Sequence, residues 1–217
     1  TFFMRLRYVV VDELHVLRGV FGTHVAHVLR RLRRICRHYG ANPTFVFTSA
    51  TIGHPERLAE GLCGAPVDAI TDDGSPKGPR RFALLDPSVV DEASGARSST
   101  NSEVATVAAA LIESGHRTIT FCRSRKGTEL IAADISRRVP GHLKRSVVSY
   151  RAGYLTEERR AIEDELSAGT LRGVVATSAL ELGVDIGDLE ACVLNGFPGT
   201  ISSMWQQAGR AGRRQDP

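Results

Sequence analysis

The feature that most constrains this chain is the return, seven times along its length, of a short apolar run rich in Val, Ile and Phe. The runs are Leu6–Val11, Thr44–Thr48, Asp68–Ile70, Thr118–Cys122, Ser146–Ser149, Gly173–Ala176 and Ala191–Asn195, mostly with helical patterns between them. A strand that is apolar on both sides needs cover on both faces. Alternation with helices therefore predicts an α/β fold, a parallel sheet sandwiched between helical layers.

Among the intervening stretches, Thr23–Tyr39 sets Val25, Val28, Leu29, Leu32, Ile35 and Cys36 on one helical face, with Arg30, Arg31, Arg33, Arg34 and Arg37 mostly elsewhere. The arginine face could meet DNA or another domain, but a solvated surface is the simpler reading. Thr100 followed by Glu103 has the spacing of a capping box and predicts a helix ending near Gly115; another runs from Thr156 to just before Gly169. Between Thr71 and Ser102 the composition turns to Gly, Pro, Ser and Asp, interrupted only by Arg81–Leu85, a candidate short strand. This divides the chain into 1–72, a linker over 73–101, and 102–217.

Composition adds little beyond a direction. The net charge is +4, and only Lys77, Lys126 and Lys144 are lysines among 28 basic residues. Arginine suits bidentate phosphate contact, although a G- and C-rich genome would give the same bias. The four cysteines, Cys36, Cys63, Cys122 and Cys192, show neither CxxC pairing nor ligand-spaced histidines, so reduced thiols in a cytoplasmic chain are the expectation. Thr1–Tyr8 shows no starting methionine, leader or membrane anchor and reads as a chain cut within a domain.

Chemistry concentrates at three places. The run Tyr8–Val11 reads as a buried strand ending in Asp12-Glu13-Leu14-His15. Ligands of open α/β sheets bind beyond the carboxyl ends of strands, where these acids fall. One carboxylate could hold magnesium through water while Glu13 deprotonates an attacking water, as phosphoanhydride hydrolysis requires. Asp12 as the cap of a following helix is the plainer alternative, and His15 alone says little. Ser49-Ala50-Thr51 ends the next strand, with two hydroxyls placed to bond the carboxylates or His15. Near the carboxyl end, Gln206-Gln207-Ala208-Gly209-Arg210-Ala211-Gly212-Arg213 sets two arginines three apart, on one face if the segment is helical. Such arginines can neutralise charge developing on a γ-phosphate. Trp205 reads as a packing residue where the last helix begins, with base stacking as the alternative.

DELH, SAT, TSALELGVDIG and QQAGRAGRR, in that order, resemble motifs II, III, V and VI of superfamily 2 helicases. RGVFGTHVAHVLRRLRRIC and GFPGTISSMWQQAGRAGR are similar, more narrowly, to bacterial and fungal 3′→5′ DNA helicases related to the RecQ-type and Lhr-like enzymes. The resemblance extends over nearly the whole chain. It implies two RecA-like lobes, the first truncated, using ATP and Mg2+ on single-stranded or duplex DNA, with RNA as the alternative. Asp12 would contact magnesium through water, Glu13 would polarise the attacking water, and Ser49 and Thr51 would couple hydrolysis to lobe movement. Gly183 and Asp185 would face the nucleotide, with Gln206, Arg210 and Arg213 completing the site and Arg213 the first choice as finger. Ser124, Arg125, Thr177, Ser178 and, less securely, Arg151 would hold nucleic acid by its backbone.

The 217 residues contain no GxxxxGK[ST] phosphate loop, and none of the three lysines follows a glycine. The missing amino-terminal part of the same chain would supply that cradle. This polypeptide alone is therefore expected not to hydrolyse ATP appreciably. The competing reading is a catalytically silent binding or scaffolding module.

Overall fold

The computed structural model describes residues 2–50, 52–72, 74, 79–180 and 189–212. The chain forms two compact units, Thr1–Gly74 and Ser75–Pro217.

In the first unit, β1 (Tyr8–Val11) and β2 (Thr44–Phe47) pair in parallel, Val11 opposite Phe47. Helices α1 (Phe2–Arg5), α2 (Gly19–His38) and α3 (Pro55–Cys63) complete it. Val9, Val11, Phe45 and Phe47 face a core of Leu14, Leu17, Leu29, Ala59 and Leu62. Alternate residues face outward: Tyr8 and Val10 are each 67% exposed. The strand expected to be buried is thus covered on one face only, because the described residues supply a single strand partner and helices on one side.

Helix α2 buries Gly22, Leu29 and Cys36, a stripe repeating every seven residues. A Cβ at Gly22 would lie 2.3 Å from the backbone oxygen of Leu17, so only glycine lets the helix start this close to the preceding turn. Val28, expected on the buried face, is 65% exposed.

The second unit is built on a parallel sheet in the order β6-β7-β5-β8, from β5 (Thr118–Phe121), β6 (Val147–Tyr150), β7 (Gly173–Ala176) and β8 (Ala191–Leu194). Helices α4 (Thr100–Glu113) and α5 (Arg125–Arg138) pack on one face, where Ala105, Ala108, Ile112, Ile131 and Ile135 meet Val175. On the other face Ile119, Phe121, Val174 and Ala176 meet Tyr150, Leu166, Leu171, Leu180 and Leu189, with α6 (Thr156–Ser167) contributing Leu166. The two central strands are buried at every position, as a parallel sheet covered on both sides requires. Helix α7 (Ile201–Ala208) follows β8.

Four local expectations are corrected. Asp68–Ile70 is not a strand: Ile70 is 93% exposed and finds no pairing partner among the described residues. Arg81–Leu85 is likewise irregular, with Leu84 89% exposed. The linker instead contains an antiparallel hairpin, β3 (Val89–Asp91) and β4 (Ala96–Arg97). Asp91 organises its turn by accepting hydrogen bonds from the Ala93 amide at 3.0 Å and the Ser94 hydroxyl at 2.5 Å. Glu103 forms no capping box with Thr100: Ser99 occupies the cap position, and Glu103 accepts from the Ser98 hydroxyl.

Candidate functional site

The first unit positions its acids by strand register. Because Val11 lies beside Phe47, the next residues, Asp12 and Thr48, emerge side by side. The Thr48 amide donates to the Val11 carbonyl at 3.0 Å, and the Leu14 amide donates to the Thr48 carbonyl at 2.9 Å. The Thr48 hydroxyl donates to Asp12 Oδ1, which also accepts the Glu13 amide at 2.8 Å. These two donors, Thr48 first, lower the Asp12 pKa below its ordinary value, helped by the nearby His15. Both bonds end on Oδ1, leaving Oδ2 for a further ligand.

Glu13 sits at φ 55°, ψ 44°, a left-handed conformation that costs a residue with a Cβ about 1–3 kcal/mol. The neighbouring contacts hold it there: Leu14, 2% exposed, is anchored in the core, and both flanking amides are hydrogen-bonded. The Glu13 carboxylate lies 3.3 Å from His15 Nδ1. The Asp12 cap alternative does not describe this geometry, since Asp12 receives its own neighbour's amide and the hydroxyl of Thr48, the residue that follows β2.

Thr48, which the sequence did not single out, is the hydroxyl that bonds Asp12. Ser49 is exposed beyond β2, and Thr51 lies outside the described residues. The signal that could have revealed Thr48 was pairing register, which neither strand's own sequence contains.

The second unit places its expected residues at the carboxyl edge of adjacent strands. Arg151 follows β6, Thr177 and Ser178 follow β7, and Ser124 and Arg125 follow β5. Two strand spacings, about 10 Å, separate the first from the last. Ser124 caps α5: its hydroxyl accepts the Gly127 amide at 3.0 Å, leaving its hydrogen available to a ligand. Arg125 and Lys126 begin the same helix, adding cationic side chains to its positive end.

Arg151 is pre-oriented by two contacts that sequence reasoning did not identify. Its Nη2 donates to Glu129 at 2.8 Å, and its guanidinium lies 5.0 Å from the centre of the Tyr154 ring. The Tyr154 hydroxyl is 2.5 Å from that of Ser149. The buried Nε of Arg151 has no hydrogen-bond partner among the described residues.

Helix α7 ends at Ala208, with Gly209 capping it and Gly212 at φ +68°. Arg210 therefore follows the helix, and Arg213, Gly183 and Asp185 lie outside the described residues. Arg210 is 8% exposed, Gln206 is half-buried, and the chain then bridges Leu189 through Ala211. Trp205 does not enter the core: it is 51% exposed and lies 6.2 Å from Phe82, centre to centre.

Parallel α/β units carrying acids, hydroxyls and cations at strand ends define a helicase of the RecA-like class. Residues 102–215 match the helicase conserved C-terminal domain and residues 1–58 the DEAD/DEAH box helicase model. The chain belongs to the superfamily 2 helicases. It is 49% identical to the uncharacterized ATP-dependent helicase YprA of Bacillus subtilis, over 98% of this chain and 28% of that protein. Identity to the ATP-dependent helicase hrq1 of Schizosaccharomyces pombe is 42%, over 98% of this chain and 21% of that one. The crystal structure of helicase MrfA bound to DNA and AMPPNP matches with a TM-score of 0.91 and 48% identity, covering 98% of this chain and 30% of that chain.

Proposed function

We propose that this chain forms part of an ATP-dependent motor that travels 3′→5′ on DNA, coupling ATP hydrolysis to lobe closure and strand separation. The observation that carries the proposal is the Asp12–Glu13 pair: an ionised carboxylate with one oxygen uncommitted, beside a glutamate held in a strained backbone conformation against His15. Strain of this kind persists where the surroundings enforce it, and it aims the Glu13 carboxylate separately from that of Asp12.

The residues present fit a magnesium ion bound largely through water and nucleotide phosphates. No group of three or more metal-binding side chains occurs among the described residues, and Asp12 offers a single hard oxygen. Magnesium would supply charge neutralisation between the phosphates. Asp12 would hold it through water, Glu13 would accept the proton of the attacking water, and Thr48 and His15 would keep the two carboxylates in place. From the second unit, Gly183 and Asp185 would face the nucleotide, while Gln206, Arg210 and Arg213 would stabilise charge on the transferred phosphoryl group. Ser49 and Thr51 would couple hydrolysis to movement between the lobes.

Arg151, Thr177, Ser178, Ser124 and Arg125 would grip a strand by its backbone, without reading sequence. DNA as substrate is supported by the MrfA structure, which contains DNA, and RNA would be distinguished by dependence on 2′-hydroxyls. Such a motor would work beside nucleic acid in the cytoplasm; no described helix is long and apolar enough to cross a membrane. The chain covers 28% of YprA and 21% of hrq1, and the phosphate-cradling loop would lie in the remainder of the full-length protein. Glu13→Gln in that protein should abolish DNA-stimulated hydrolysis while retaining ATP binding. Unchanged turnover would refute the assignment.

A further inference from the structure

We propose that the concave face between α2 and α3 is a second phosphate-binding site, which holds the backbone of the nucleic-acid strand apart from the strand-end row of the second unit. His27, Arg30, Arg33, Arg34 and Arg37 line a shallow cleft of about 360 Å³, floored by Cys63 and Gly64. The inference rests on the reading of the chain as a nucleic-acid motor.

Charge balance separates this cleft from an ordinary solvated face. Helix α2 contains no Asp or Glu among its 20 residues, and none of its arginines pairs with a carboxylate among the described residues. The acids of α3 are engaged elsewhere: Glu56 lies 3.3 Å from His54, and Glu60 accepts the Val67 amide at 3.3 Å. Arg30 and Arg34, like Arg33 and Arg37, stand four apart on the helix, where like charges repel. Exposed helices ordinarily relieve such repulsion by interspersing acids, and α2 does not.

Two of the cations are fixed in advance. Arg30 Nη2 donates to the Gly61 carbonyl at 2.5 Å, and Arg33 Nη1 donates to the carbonyl of Gly64 and, at 3.5 Å, to that of Cys63. These bonds cap the negative end of α3 and leave each guanidinium with further N–H donors. Gly64 adopts φ +69°, and a Cβ there would lie 3.4 Å from Arg30 Nε, so the floor is shaped to the arginine above it. Arg34, Arg37 and His27 are exposed, and no hydrogen bond or ion pair holds them among the described residues. Several guanidinium forks around one small concavity, with no counter-charge, match successive phosphate oxygens.

The test measures binding of the full-length protein to a fluorescein-labelled single-stranded DNA across a KCl series. An Arg34→Gln/Arg37→Gln variant should weaken binding about tenfold or more near 100 mM salt and reduce the slope of log K against log salt by ~1.4, with the melting temperature unchanged or slightly raised as the repulsion is relieved. Arg34→Lys/Arg37→Lys, which retains both charges, should keep most of the slope. Unchanged affinity and slope in the Gln variant, while Arg125→Gln weakens binding, would overturn the cleft proposal and leave the motor intact. A lower melting temperature with unaltered DNA binding would also overturn it, assigning the two arginines to the stability of the protein. Absence of DNA binding by the unaltered protein would remove both proposals together.

Discussion

Substituting alanine for Gly173 tests how tightly the second unit's sheet is set against its helices. Gly173 begins β7, and the added Cβ would lie 2.6 Å from Ile112 Cδ1 and 3.3 Å from Val147 Cγ2. Carbon atoms in good contact sit about 3.5–4.0 Å apart, so Ile112 must yield roughly 1 Å. It is 2% exposed and packed among Ala108, Ala109 and Val175, with little space to do so. Overpacking of this kind costs about 1–3 kcal/mol, and the stiffer unfolded chain returns about 0.4–1 kcal/mol. A net loss of about 1–2 kcal/mol should lower the melting temperature of this unit by roughly 3–8 °C in circular dichroism. Ile112→Val removes the obstructing Cδ1. Alone it should cost about 0.5–1.5 kcal/mol, whereas in the Gly173→Ala background it should restore stability, giving a coupling of about 1 kcal/mol or more. Wild-type stability in Gly173→Ala, or strictly additive effects in the double variant, would refute the packing argument.

Thr48→Val removes the main donor to Asp12, so the carboxylate pKa should rise toward its ordinary value. The acid limb of the full-length enzyme's pH–rate profile should move to higher pH; a fixed limb would count against the Thr48–Asp12 bond. Tyr150, 1% exposed, donates to Glu163 at 2.6 Å, and burial, followed by that carboxylate, pushes its pKa up to about 12. The folded state keeps this proton when the unfolded state loses it, so the stabilisation is complete below pH 10 and disappears as pH rises toward about 12. Tyr150→Phe should flatten this alkaline loss in urea melts; an unaltered loss would assign it to other groups. Arg151→Ala should weaken single-stranded DNA binding about equally for all sequences and reduce the salt slope by ~0.7, while changing stability by less than about 1 kcal/mol. A sequence-dependent loss would indicate base contacts.

The sheet of the second unit was legible because fully buried parallel strands must be apolar throughout: Thr118–Phe121 and Gly173–Ala176 lie within or coincide with the runs found in the sequence. Asp68–Ile70 was misread because apolar character alone does not provide a pairing partner. The β3–β4 hairpin went unread because its strands are only 3 and 2 residues long, and its stability resides in the Asp91 turn. At the acid pair, residue type and strand position placed Asp12 and Glu13 beyond the end of β1. The left-handed backbone of Glu13 and the pairing with Thr48 arise from register and tertiary anchoring, which no local pattern expresses. Likewise, helical spacing suggested a helix running through Arg210, but α7 ends at Ala208 with Gly209 as its cap.

The most direct measurement is a double-mutant cycle on ATP turnover by the full-length protein, using Glu13→Gln, Arg210→Ala and both together. If the glutamate and the arginine serve a single phosphoryl transfer, each single change should reduce kcat by about a hundredfold or more, and the double variant should fall little below the slower single one. Losses that simply multiply, or a wild-type rate in either single variant, would contradict a shared nucleotide site.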